Sequence, residues 1–254
     1  MKTNKCIPFH IKIADKVIRV EPLYEYIKEY CTEYLTDEPA DFTVTVTEND
    51  IQFERNCSVK ESMKENREEN KNYPLEFSDA YLETLAVYRQ IAEKLPVWNI
   101  LLFHGSVIAV DGEGYLFTAA SGTGKSTHTG LWREYFGNRA VMINDDKPLL
   151  KITENGVLAY GTPWNGKHRL STNTSVPLKG ICILTRDKVN HIEEIQPIAA
   201  YQMLLQQTYR PMDKMAMIQT LGLIDEMKRQ AKFYKLGCNQ NPEAAKIAFE
   251  GMHS

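Results

Sequence analysis

Nowhere in the 254 residues does an apolar run approach the roughly 18 residues that a bilayer-crossing helix needs. Cysteine is scarce and scattered. Cys6, Cys31, Cys57, Cys182 and Cys238 are odd in number and never fall in a C-x-x-C pair, so reduced thiols are expected instead of a disulfide frame or a zinc site. Neither sign of charge dominates, with 30 Lys and Arg against 33 Asp and Glu and a net charge of −3. That balance gives no general hold on nucleic acid or an anionic membrane and leaves only a local basic pocket for anionic ligands. No fixed-period repeat is visible, which removes solenoids and propellers. The opening residues alternate apolar and polar, unlike the continuous apolar segment of a secretion signal. A cytoplasmic protein is expected.

Hydrophobic residues make up 43% of the chain and charged residues 25%, which suffices for a core. Residues 1–96 read as a small N-terminal α+β unit. Apolar runs at 9–13 and 17–20 lead to a helical stretch near 23–34, and alternation over 42–47 predicts a strand. Glu48-Asn49-Asp50 reads as a turn back into 51–53. Residues 54–72 are crowded with Glu, Lys, Arg and Asn, and are expected as a charged loop or a surface helix, with a mobile lid as the sharper alternative. Ser78 has the character of an N-cap for a helix over 78–95, closed by Pro96.

From residue 97 the pattern changes. Strands are expected at 98–103, 106–110 and 115–118, and the last runs directly into Ala119-Ala120-Ser121-Gly122-Thr123-Gly124-Lys125-Ser126-Thr127. A helix to about Phe136 and an apolar strand at 140–143 follow. Hairpin signals sit at Asn155-Gly156 and over 187–190, with helices near 198–208 and 212–228, a strand at 233–236 and a last helix after Pro242. Frequent hairpins predict a mixed, partly antiparallel sheet of α/β class with α+β character.

The segment Ala119–Ser126 has the P-loop (Walker A) layout with Ala at the first position. Small residues let several backbone N–H groups converge on a phosphate chain, and the following helix aims its N-terminus at the same anion. Lys125 brings a point charge to the β- and γ-phosphates, and the Ser126 hydroxyl suits Mg²⁺. Twenty residues after Lys125, an apolar strand ends in Asp145 and Asp146. One carboxylate of such a pair can hold Mg²⁺ while the other accepts a proton from an attacking hydroxyl. His104, before Gly105 at a strand mouth, is expected either as a structural residue or as an imidazole that hydrogen-bonds Asp145 and tunes its basicity. In Gly161-Thr162-Pro163-Trp164-Asn165-Gly166-Lys167-His168-Arg169, Trp164 offers a flat surface for a ring while Lys167, His168 and Arg169 offer charge to a phosphoryl group. The alternative is a buried Trp anchoring an ordinary loop. Arg186 and Arg210 are weaker candidates for phosphate clamps.

The order of these motifs, HGSVIAVDGEGYLFTAASGTGKST and then an apolar strand ending in NDD, resembles the catalytic domain of HPr kinase/phosphorylase over residues 103–151. SGTGKST is also similar to the nucleotide site of phosphoenolpyruvate carboxykinase. The GTPW-x-GK segment resembles that of HPr-kinase-like proteins of Firmicutes. The resemblance implies a mixed-sheet P-loop kinase core over 97–254, with ATP and Mg²⁺ as cofactors. It implies phosphate binding by 119–127, Lys125 as phosphate lysine, Ser126 and Asp146 at the metal, Asp145 as catalytic base and His104 as its support. Trp164, Lys167 and Arg169 are the candidate substrate residues. Two departures stand out: the carboxykinase substrate site is not present, and the arginine-glycine signature of HPr kinases is not located.

The activity implied is ATP-dependent phosphorylation of a hydroxyl on a small metabolite, a peptide or a protein, with neither nucleic acid nor membrane as partner and a homo-oligomer as a possible assembly. Competing readings are an ATP-binding switch with slow hydrolysis and a carboxykinase-like phosphotransferase.

Overall fold

The computed structural model describes residues 6–69 and 72–253. Residues 1–5, where the sequence reading begins, and residues 70–71 of the charged segment lie outside it. The chain divides into two compact units, Met1–Ile91 and Ala92–Ser254.

In the first unit, β1 (Phe9–Ile13) and β2 (Lys16–Glu21) form an antiparallel hairpin. Its tight turn places Ala14 and Asp15 at φ of 48° and 61°, the two positive values that match the twist of the flanking strands. After α1 (Tyr26–Tyr30) and a short 3-10 turn, β3 (Phe42–Thr45) joins β2 in parallel. Ile11, Ile18, Val20, Ile27 and Val44 are buried in this unit.

The expected turn at 48–50 and strand at 51–53 are instead the start of one helix, α2 (Glu48–Glu69), and the charged stretch after them continues it, as the surface helix and not the loop of the two forms expected. The reason is local. Thr47 and Asp50 bond each other reciprocally, Thr47 N–H donating to the Asp50 carboxylate and Asp50 N–H to Thr47 Oγ1. The polar cluster that looks like a turn is therefore a capping box. The Glu, Lys and Arg that follow are good helix formers. Arg89 ties the first turns down through Asp50 and Glu54, from α3 (Asp79–Lys94), which starts after Ser78 with the Ser78 hydroxyl accepting from Tyr81 N–H. The division between the two units falls within α3.

The second unit opens with a 3-10 turn over Leu95–Trp98. Its elements are β4 (Ile100–Leu102), β5 (Ser106–Val110), β6 (Glu113–Thr118), α4 (Lys125–Phe136), β7 (Ala140–Asn144), β8 (Leu149–Thr153), β9 (Gly156–Tyr160), β10 (Ser175–Arg186), β11 (His191–Ile195), α5 (Pro197–Gln207), α6 (Lys214–Gln230), β12 (Phe233–Cys238) and α7 (Glu243–His253). Among the described residues, these strands make one mixed nine-stranded sheet. The long β10 organises it. Its start pairs with β9, and its remainder lies parallel to both β6 and β12.

The signal at 187–190 is a turn but not a hairpin. β12 inserts between β10 and β11, parallel to the first and antiparallel to the second. Phe233, Tyr234 and Leu236 are buried, and a strand apolar on both faces belongs inside a sheet. The alternation of β6 shows the same two-sided burial. Leu116 packs in the cluster that includes Leu204, Ile224 and Met227 of α5 and α6, whereas Tyr115 and Phe117 pack with Trp132 of α4 and Met252 of α7. Helices thus cover both faces, and the loop after β6 is held between two cores. Among the described residues, no helix is long and apolar enough to cross a membrane.

Candidate active site

The loop of 119–124 leaves the end of β6 and enters α4 at Lys125. Gly122 and Gly124 have φ of 73° and 120°, values that side chains disfavour. Ala119 is buried against the core around Trp132, where its small side chain serves in place of glycine. Thr123 N–H donates to the Ala120 carbonyl at 3.3 Å, and His128 N–H to the Gly124 carbonyl at 2.9 Å. Lys125 folds back so that Nζ donates to the Ala119 carbonyl at 3.3 Å. Burial, with Lys147 nearby, holds the Lys125 ammonium below its ordinary pKa, against the pull of Asp146 and Asp145.

The acid pair lies beside that loop. Asn144, fully buried at the end of β7, accepts from the N–H groups of Asp146 and Lys147 at 2.9 and 2.6 Å and donates to Thr162. This single amide sets the path of the backbone through both acids. Asp145 is only 5% exposed. Its carboxylate accepts from Ser106 Oγ at 2.9 Å, and the Ser126 hydroxyl in the first turn of α4 is near enough to favour its ionised form. Burial raises the Asp145 pKa, and the Ser106 bond, the nearby Ser126 hydroxyl and the charges of His168 and Arg133 act against that rise.

His104 takes a different partner from the one expected. Its Nε2 lies 3.4 Å from Asp146 Oδ1, and Asp145 is supported by Ser106 instead. The reason is the backbone: His104 N–H donates to the Gln207 carbonyl at 2.7 Å and Gly105 N–H to the Asp146 carbonyl at 3.0 Å, seating the imidazole over the second acid. Burial, then Lys147 and Lys125, push the His104 pKa down to about 3, with the nearby Gln207 side chain acting the other way. At neutral pH the contact with Asp146 is therefore made by a neutral imidazole.

The segment 161–169 packs along the end of β7. Thr172 N–H donates to the Ile143 carbonyl and Asp145 N–H to the Leu170 carbonyl. Gly161 is obligatory, because a Cβ there would overlap the carbonyl oxygens of Thr172 and Ile143. Trp164 is 4% exposed, so its ring anchors the loop and presents no open face to a base or substrate. Gly166, with φ of 73°, lies against Asp146, where a Cβ would approach the Asp146 Cβ to 3.2 Å. Lys167, His168 and Arg169 are exposed on the turn that follows, and Arg169 holds a left-handed φ of 49°. Arg186 bonds the loop of 119–124 from outside, and Arg210 is exposed beyond α5.

Ser106, Asn144, Lys147 and Gln207 also belong to the site, although the sequence reading did not single them out. Ser106 follows His104-Gly105 and Asn144 precedes the acid pair, so both were within reach of a motif-based reading. Gln207 comes from a helix distant in sequence and carries no local signal.

No family model matches the chain, and no curated protein matches it. Among solved structures, the chain is similar to the Hpr(Ser) kinase/phosphatase from Coxiella burnetii. That similarity has a TM-score of 0.30 and 14% identity, over 50% of this chain and 97% of the other.

Among the described residues, no group of three or more His, Cys, Asp or Glu side chains could enclose a metal ion. The local donor set is one hydroxyl and two carboxylates, at Ser126, Asp145 and Asp146. Such a set fits Mg²⁺, which keeps waters and completes its shell with phosphate oxygens. The two positive-φ glycines and the following helix N-terminus likewise fit a phosphate chain.

Proposed function

We propose that the protein is a P-loop phosphotransferase of HPr-kinase-like type, passing the γ-phosphoryl group of Mg·ATP to a hydroxyl in the cytoplasm. The observation that carries this reading is the His104–Gly105 turn, which bonds both the end of β6 and the acid pair: Thr118 Oγ1 donates to the His104 carbonyl at 3.0 Å, and Gly105 N–H donates to the Asp146 carbonyl at 3.0 Å. One two-residue turn thus sets the acids beside the loop that leads into α4.

The roles follow from position and charge. The backbone of 119–124, with Ser121 and Thr123 along it, cradles the phosphates, and α4 turns its N-terminus and the Ser126 and Thr127 hydroxyls toward them. Lys125 leaves the Ala119 carbonyl to neutralise the transferring group. Ser126 and Asp146 would hold Mg²⁺, which would supply charge neutralisation on the phosphate oxygens. Asp145, raised in pKa by burial yet oriented by Ser106, accepts the proton of the acceptor hydroxyl. His104 and Gln207 hold Asp146 in place. Lys167, His168 and Arg169 form a cationic rim for the acceptor, with Trp164 as the buried anchor of that turn.

The test is incubation with γ-labelled ATP and a library of metabolites and peptides. Label is expected on an acceptor hydroxyl. Label reaching inorganic phosphate alone would replace the kinase with an ATP-binding switch. Asp145→Asn is expected to keep ATP affinity within a few-fold while cutting turnover at least about a hundredfold, the usual scale for loss of a general base. Undiminished turnover would place the base elsewhere.

A further inference from the structure

β10 overshoots its neighbour. The register of the parallel pair ends at Ile183 opposite Thr118, where β6 gives way to the loop, yet β10 continues to Arg186. The guanidinium at its end reaches across. Nη2 donates to the Gly122 carbonyl at 2.6 Å and Nε to the Thr123 carbonyl at 3.4 Å. These are two successive peptide groups, flanked by the positive-φ glycines at 122 and 124.

We infer that Arg186 is a positioning residue for the phosphate loop: it fixes the direction of the loop's amides and does not itself touch the phosphates. The inference rests on the nucleotide-binding reading above. In a trans planar peptide the C=O and the next N–H point in opposite directions. Drawing the Thr123 carbonyl toward Arg186 therefore turns the Gly124 N–H to the opposite side of the loop. Gly122 and Gly124 give this stretch the widest backbone freedom of any residue type, which costs the most entropy to order. A forked, charge-assisted donor on two adjacent carbonyls removes part of that freedom before the nucleotide arrives. Lysine cannot substitute fully, because a single ammonium lacks the planar fork.

The experiment is titration calorimetry of Mg·ATP, Mg·ADP and AMP on wild type, Arg186→Gln and Arg186→Lys. A residue that shapes the cradle weakens ATP and ADP alike, by about tenfold for Arg186→Gln, the scale of a charge-assisted bond, and leaves AMP unchanged. Arg186→Lys is expected to recover only part of the loss. Loss of ATP affinity with ADP untouched would make Arg186 a direct γ-phosphate ligand and overturn the inference. Equal affinities in all three proteins would overturn it as well. Wild type that binds none of the nucleotides would instead remove the nucleotide-binding reading itself. Near-ultraviolet circular dichroism separates these results from misfolding. The wild-type spectrum is expected in both variants, and affinity loss in step with loss of that spectrum would make Arg186 a fold residue, overturning the positioning role.

Discussion

Ser106 shows how one hydroxyl sets the chemistry of a buried acid. Asp145 sits in a site that raises its pKa by desolvation, and the Ser106 bond together with the nearby Ser126 hydroxyl favours the ionised form. Removing one donor leaves the desolvation in place and takes away part of what offsets it. In Ser106→Ala the acidic limb of the pH–rate profile is expected to move to higher pH. Secondary structure is expected to be unchanged, and a profile that stays put would show that Ser106 does not act through Asp145. Asn144 acts on the backbone and not on the charge. Its amide oxygen takes the two N–H groups that follow Asp145, and the turn carrying both acids depends on that bond pair.

Two elements hold the candidate site together. β10 brings Arg186 to the loop after β6, and the 161–174 crossing holds the acid-bearing end of β7. The second depends on Gly161, because the two flanking carbonyls belong to packed backbone and cannot retreat like a flexible side chain. Gly161→Ala is expected to destabilise the second unit by at least about 2 kcal/mol, as overpacking against backbone does. Chemical denaturation followed by tryptophan fluorescence measures this, and a midpoint within error of wild type would contradict the close approach. α4 carries a further constraint. Trp132 Nε1 donates to His128 Nε2 at 3.0 Å, so the neutral imidazole keeps its proton on Nδ1. Protonating both nitrogens would place a charge within the aromatic cluster.

At the scale of the whole molecule, buried groups in the two units respond to acid in opposite directions. In the first, fully buried Glu83 accepts from the N–H groups of Leu23 and Tyr24, and burial pushes its pKa up to about 7. The folded state then holds its proton more tightly than the unfolded chain does. This contribution is complete below about 4.5, the unfolded value, and is lost as pH rises through about 7. In the second unit His128 and His104 are pushed down to about 3. Their contribution is present above about 6.5, the unfolded value, and declines as pH falls toward 3. Trp98, Trp132 and Trp164 all lie in the second unit, so tryptophan fluorescence reports that unit. Its denaturation midpoint is expected to fall between pH 7 and pH 5, whereas Glu83→Gln is expected to flatten the pH response of the first unit, followed by hydrogen exchange in peptides from 9–45. A fluorescence midpoint constant over that range would contradict the neutral state assigned to His128.

Much of this was legible in the linear chain, because it depends on short-range physics. The glycine-bearing loop of 119–124 leading into α4, the acid pair at the end of β7 and the mixed sheet each have a signature within ten residues or fewer, in glycine placement, alternation and hairpin turns. Even the misread 48–50 cluster carried its helix signal in the T-x-x-D spacing of a capping box. Contacts that join distant segments left no such trace. The pairing of His104 with Asp146, the support of Asp145 by Ser106, the burial of Trp164, the insertion of β12 beside β10 and the reach of Arg186 all arise from packing two cores against one sheet. Side-chain type and spacing determine what chemistry the chain can offer. Only tertiary packing decided which donor meets which acid, since burial and hydrogen-bond satisfaction are settled by neighbours that sequence order does not specify.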